Sequence, residues 1–181
     1  MPSPTPWLDQ DERSAWISLM AMLASVPPAI DAQLKGDSGL NFFEYSMLSQ
    51  LSGAPDRALQ MSGLAQLVGG TLSRLSHAAS RLEAQGLVRR RVATGESRCT
   101  ELVLTDEGMT LLENAAPGHV REARRLVFDV LTREQVVHLR EIAQALVRVA
   151  APDVAEALQR AIEAADAAEK RQTDADDRRL D

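Results

Sequence analysis

Residues 61–105, MSGLAQLVGGTLSRLSHAASRLEAQGLVRRRVATGESRCTELVLT, decide the fold. Their spacing predicts a short helix over 62–68, a turn at Gly69-Gly70, a second helix over 71–85 capped by Thr71 and closed by Gly86, and an arginine-rich hairpin over 88–104. Between residues 71 and 98, six arginines (Arg74, Arg81, Arg89, Arg90, Arg91 and Arg98) stand against two glutamates, Glu83 and Glu96, a local excess of +4 in a chain of net charge −6. Positive charge is therefore concentrated in one segment of an otherwise acidic protein, which is where a nucleic acid would use it.

At about 100° per residue, Leu72, Leu75, Ala79 and Leu82 share one arc of the 71–85 helix, which is expected to be buried. The opposite arc holds Ser73, Arg74, His77, Ser80 and Arg81, with Ser76 beside it and Glu83 on the flank of the buried side. Short hydroxyls let a helix approach a major groove closely, arginine can pair bidentately with guanine, and serine or histidine can reach bases or phosphates. The free backbone donors at Thr71 favour a phosphate. An amphipathic helix with a solvated polar face fits the same pattern. The hairpin that follows argues against that plainer reading. Val88-Arg89-Arg90-Arg91-Val92 is a strand with three successive cations, 93–97 is a glycine-containing turn, and the chain returns through Arg98. Helix, turn, helix and basic hairpin in this order describe a winged helix-turn-helix whose wing can lie on phosphates or place Arg98 in a minor groove.

The flanks read as helices. A chain of 181 residues that is 45% hydrophobic can bury a core, and its 3% aromatic content with abundant Ala, Leu, Arg and Glu favours helix. Residues 1–8 are expected to be disordered. From Asp9, Trp16, Leu19, Met20, Leu23, Val26, Ile30 and Leu34 recur at helical spacing, and Pro27-Pro28 are expected to kink or interrupt that helix before Gly36 to Gly39 ends it. Asn41 with Glu44 forms a capping box for a helix ending near Ser52. Thr105 caps a long helix bent at Pro117-Gly118, Thr132 with Gln135 opens the next, and a last helix is expected over 153–170, with a charged, disordered tail over 171–181. Cys99, the single cysteine, excludes an internal disulfide and suits a cytoplasmic protein; no apolar run approaching about 18 residues is expected, hence no membrane partner.

From about residue 16 to 149 the chain resembles the MarR family of winged helix-turn-helix transcription regulators. The likeness rests on GLAQLVGGTLSRLSHAASRLEAQGLVRR, with Leu82, Gly86, Leu87 and Val88 in the family's leucine-x-x-x-glycine-leucine-valine positions, and on LVLTDEG, where the family has Leu-Thr-x-x-Gly. Arg98 matches the wing arginine of the family's Asp-x-Arg, whereas Glu96 and Ser97 depart from it. The resemblance implies a mainly α fold: a winged helix-turn-helix lobe over 37–105 (recognition helix 71–85, wing 88–104), and a helical dimerisation region over 9–36 and 106–170. It also implies a homodimer on a palindromic double-stranded DNA operator, and repression modulated by a lipophilic or phenolic effector. Trp16 to Leu34, with Leu126, Val127, Val130, Leu131, Val136, Leu139, Ile142, Leu146 and Val149, would supply the dimer interface. An intramolecular helical bundle would bury the same residues.

The expected DNA-binding residues are Thr71, Ser73, Arg74, Ser76, His77, Ser80, Arg81, Arg89, Arg90, Arg91 and Arg98. Trp16, Met20, Phe42, Phe43, Tyr45 and Met47 could line an effector pocket, although apolar residues at helical spacing are more often core. No phosphate-binding glycine loop, nucleophile-base pair or metal-ligand spacing occurs around His77, His119 or His138, so no enzyme, cofactor or metal is expected. A constitutive DNA-binding protein, or a winged-helix module that binds proteins rather than DNA, are the competing functions.

Overall fold

A computed structural model describes residues 6–92 and 99–163. Asp9 and Glu12 form a reciprocal capping box that opens α1, Gln10–Ser38, and Gly39 ends it with φ 73°. Pro27 and Pro28 lie inside this helix, which is not interrupted as expected. The carbonyls that lose their donors are those of Leu23 and Ala24, both exposed, so water can satisfy them and the helix need not break. The lower half of α1 buries Ile30 and Leu34, whereas Trp16, Ile17, Met20, Met22 and Leu23 stand in solvent. A second expectation is corrected here. Residues 14–30 carry no charge, and α1 is long and apolar enough to cross a membrane, with a mean hydropathy of 1.4 in its most apolar window. Ser18, Ser25 and the Pro27-Pro28 pair hide this from a search for an unbroken apolar run.

α2, Phe42–Ser52, starts at the Asn41–Glu44 capping box and buries Tyr45, Met47, Leu48 and Leu51. A short 3₁₀ turn at Pro55–Arg57 leads to β1, Ala58–Gln60, then α3, Met61–Leu67, and α4, Leu72–Ala84. β2, Val88–Val92, and β3, Thr100–Leu104, form the hairpin, and the sheet order is β1-β3-β2, all antiparallel. β1 was not foreseen, because three residues are too few to show a period of two; its pairing with β3 (Ala58 with Val103, Gln60 with Glu101) defines it.

α4 is seated by Leu75, Ala78, Ala79 and Leu82. Leu72 departs from expectation: it is 54% exposed, because the first turn of α4 projects past the core, and Ala78 takes the buried place instead. At the far end Gly86 adopts φ 75°, which favours glycine, and the Leu87 N–H donates back to the Leu82 carbonyl at 3.0 Å. The Thr105 hydroxyl donates to the Gly86 carbonyl at 2.7 Å and accepts from the Gly108 N–H at 3.0 Å, so one side chain closes the end of α4 and caps the next helix.

That helix, α5, Asp106–Leu126, packs on α1 and α2 and carries Pro117 internally. The carbonyl freed by Pro117 belongs to exposed Glu113. A 3₁₀ turn at Phe128–Val130 precedes α6, Arg133–Ala150, whose Thr132–Gln135 capping box is present and which buries no residue. Residues 152–163 form a further helix, α7; the rest of its expected span and the tail lie outside the described residues.

Candidate nucleic-acid interface

The approach to α4 is set by its first turn. The Thr71 hydroxyl accepts from the Arg74 N–H at 3.2 Å, and the Gly70 N–H donates to Ala65 at 2.9 Å, fixing α4 against α3. Gly70 also makes room: a Cβ there would lie 2.7 Å from Cε2 and Cζ of Phe43. With Leu75, Ala78, Ala79 and Leu82 turned inward, Thr71, Ser73, Arg74, Ser76, His77, Ser80 and Arg81 are all exposed, along the arc assigned to them from the sequence.

The arginines are less alike than their number suggests. Arg81 donates through Nε (2.9 Å) and Nη2 (2.8 Å) to Oε1 of Glu44, the one buried charged residue among the described residues. Arg90 is woven into α4. Its backbone N–H donates to Glu83 at 2.9 Å, its Nη1 pairs with the same carboxylate, and its Nη2 reaches the Ser76 carbonyl (3.1 Å) and the Ser80 hydroxyl (3.0 Å). Arg91 Nε pairs with Glu101 across the hairpin at 2.7 Å. Arg74 has no carboxylate partner among the described residues; its guanidinium carbon sits 4.1 Å from the centroid of the Phe43 ring. Arg89 is exposed and makes no ion pair among the described residues. Arg98, Glu96 and Ser97 lie outside the described residues.

Glu44, Glu83 and Glu101 thus offset three of the arginines, leaving Arg74 and Arg89 with no acidic partner among the described residues. Glu44 was legible only as a capping residue and Phe43 only as a pocket candidate. Their contacts with α4 span 37 and 31 positions of sequence, and nothing local signals them.

Between α1, α2 and α4 lies a cleft of about 790 Å³, bordered by Pro27, Pro28, Phe42, Phe43, Arg74 and Arg81. Its mouth carries the Asp31–Lys35 pair (2.7 Å); Lys35 and the Phe42 N–H hold the Asp31 carboxyl below its ordinary pKa. The six predicted pocket residues are not brought together. Phe42 and Phe43 border the cleft, but Trp16 and Met20 are exposed on the upper half of α1, and Met47 is fully buried in the core. Tyr45 packs against His119 of α5, the rings tilted by 47° with centroids 4.5 Å apart. The reason is geometric: successive residues of α2 point in different directions, so only one side of the helix meets α1 and α4. Burial raises the Tyr45 pKa and lowers that of His119. Cys99 is half-buried at the foot of β3. No cluster of three metal-ligating side chains occurs among the described residues.

No family model and no curated protein matches the chain. Solved structures do. Sco3205, a MarR family transcriptional regulator from Streptomyces coelicolor solved in complex with DNA, is 39% identical, covers 78% of this chain and 92% of its own, and superposes with a TM-score of 0.76. AbsC, a MarR family transcriptional regulator from the same organism, is 30% identical over 80% of this chain and 97% of its own, with a TM-score of 0.75. CouR from Rhodococcus jostii RHA1, bound to p-coumaroyl-CoA, shares the fold at 23% identity and a TM-score of 0.64, over 78% of this chain and 94% of its own.

Proposed function

The chain belongs to the MarR family of transcriptional regulators, and from that premise we propose that it is a homodimeric, sequence-specific repressor whose hold on a palindromic operator yields to a small lipophilic or phenolic ligand. The observation that carries the reading is the outward face of α4, free of carboxylates and rich in hydroxyls, in a chain 39% identical to a regulator solved on DNA. Arg74 and His77 read base edges, with Ser73, Ser76 and Ser80 small enough to let the helix approach; Thr71 and the α4 N-terminus take a phosphate. Arg89, and Arg98 of the wing, supply backbone or minor-groove contacts, while Arg81, Arg90 and Arg91 contribute mainly to the shape and charge of the lobe.

The homodimer rests on the exposed apolar faces of α1 and α6. The effector rests on the cleft between α1, α2 and α4, where Phe42 and Phe43 offer aromatic walls and Arg74 offers a cation to a phenolate or carboxylate. CouR, bound to its p-coumaroyl-CoA, has the same fold and is consistent with this reading.

A gel shift of the purified protein with DNA from its own promoter neighbourhood tests the proposal. A complex that survives unrelated competitor DNA is expected, and Arg74→Ala, which removes one good bidentate base contact from each half-site, should weaken it by about tenfold or more per half-site. Absence of a specific complex at low salt would leave a winged-helix protein with some other partner. Phenolic compounds titrated into the formed complex should release the DNA, and a complex indifferent to all of them would be that of a constitutive regulator.

A further inference from the structure

The two neighbouring residues Phe43 and Glu44 at the start of α2 each meet one arginine of α4, in chemically opposite ways. Glu44, its side chain 7% exposed, takes the hydrogen-bonding edge of Arg81 through Nε and Nη2. Those donors are thereby spent inside the protein. Phe43 meets Arg74 through the face of its ring: the guanidinium carbon lies over it, 4.1 Å from the centroid. Lying over a ring uses none of the N–H donors and leaves the whole fork available to an acceptor in front of it.

We propose that Phe43 is a positioning residue for base readout, its ring forming a shelf that holds the Arg74 guanidinium above it and presents the unspent N–H edge to the DNA. The inference rests on the reading of α4 as the recognition helix given above. Arg74 lies in the first turn of α4, is exposed, and has no carboxylate partner among the described residues, so without a shelf its long side chain would sample many rotamers. An arginine must lose much of that freedom to make two hydrogen bonds to one base, and a ring already beneath it reduces the loss on binding. The shelf is itself fixed. Phe43 packs against the core of the lobe, and its ring occupies the space left by the missing side chain of Gly70, within 2.7 Å of where a Cβ would stand. Helix α2 thereby sorts the two arginines: Arg81 is retained by the lobe and Arg74 is offered outward.

The test uses the full chain and the operator fragment found by gel shift, with Phe43→Leu, Phe43→Tyr, Arg74→Ala and the Phe43→Leu/Arg74→Ala pair. Phe43→Leu should weaken specific binding about two- to fivefold per half-site, the value of an exposed cation–π contact, while binding to unrelated DNA and its salt slope stay unchanged because no charge is removed. Phe43→Tyr, which keeps the ring, should restore specific affinity. In the Arg74→Ala background Phe43→Leu should add nothing, since the two act as one unit. A second readout needs no DNA: the Arg74 Nε–H proton resonance of the free protein should carry an upfield ring-current shift that Phe43→Leu abolishes and Phe43→Tyr keeps. Equal losses from Phe43→Leu with and without Arg74 would make the ring a packing residue and overturn the proposal, as would the absence of the ring-current shift. If the shift is present but Arg74→Ala binds the operator like the wild type, Arg74 does not read bases; the recognition-helix reading fails together with the role of the shelf.

Discussion

His119 shows how a single side chain reports the packing around it. Its ring lies against Tyr45 and, at 6.2 Å, near Phe42, and its Nδ1 is buried without a hydrogen-bond partner among the described residues. Burial lowers its pKa below the ordinary histidine value, so the folded protein resists a proton that the unfolded chain accepts. Stability supplied by the neutral ring is present above the unfolded pKa of about 6.5 and is lost as pH falls from there through the depressed folded value. Acidification from about pH 7.5 to 5.5 should therefore lower the melting temperature, and His119→Phe should reduce that loss while costing little near neutrality, because an apolar ring leaves no unsatisfied buried nitrogen. The carboxyls of Asp31 and Glu122 are held low by Lys35 and Arg125, so their contributions fade only at more acidic pH. Thermal melts of wild type and variant at the two pH values decide the matter. Parallel losses would show that another group titrates.

At the scale of elements, the junction of α4, β2 and α5 determines how the recognition helix is presented. Gly86 turns the chain, Thr105 ties the end of α4 to the start of α5, and Gly108 lets α5 come against the Leu87 carbonyl. A Cβ at Gly108 would run into that backbone oxygen and, at 2.7 Å, into Leu104 Cδ1; the side-chain methyl can give, but the backbone carbonyl cannot move without disturbing the junction. Gly108→Ala should cost about 1–3 kcal/mol, seen as a lower urea midpoint at unchanged m-value. Gly63→Ala is the matched control: it lies within α3 with nothing within 4 Å of its would-be Cβ, and should be neutral or stabilising by up to about 1 kcal/mol. If both variants melt alike, the close approach at Gly108 is not what limits the junction.

Across the whole molecule, the apolar surface is distributed unevenly. The core lies between the winged lobe and the lower half of α1 with α5, while Trp16, Ile17 and Leu23 of α1, Phe128, and Ile142, Leu146 and Val149 of α6 remain exposed. A helix such as α6 that buries none of its apolar face within one chain needs a partner, and a second copy offering the same faces would close them isologously. Light scattering at micromolar concentration should give a dimer. Ile17→Asp combined with Ile142→Asp should shift it toward monomer and weaken operator binding far more than either recognition helix alone would suffer, because linkage of two half-sites is lost. A wild-type monomer under those conditions would rule the homodimer out.

Much of the architecture was legible in the sequence because helix boundaries are local events. Asp9, Asn41, Thr71, Thr105 and Thr132 each accept from an N–H three residues on, and Gly86 ends α4 where a left-handed residue is needed; these are decided within one turn of chain. The order helix, turn, helix, basic hairpin, and with it the winged-helix lobe and the outward arc of α4, follow from those boundaries and from the spacing of Leu75, Ala79 and Leu82. Only the tertiary structure decided what each arginine does. Arg81 meets Glu44, Arg90 meets Glu83 and Ser80, Arg91 meets Glu101, and Arg74 lies on Phe43, because the placement of α2 and the register of β2 on β3 bring those groups within a few ångströms. The tertiary structure also decided that Leu72 faces solvent and that Tyr45 and Met47 turn away from the cleft. A sum of charges along residues 71–98 treats the arginines as equal, whereas their partners come from distant elements, and the distances that distinguish them exist only once the helices are packed.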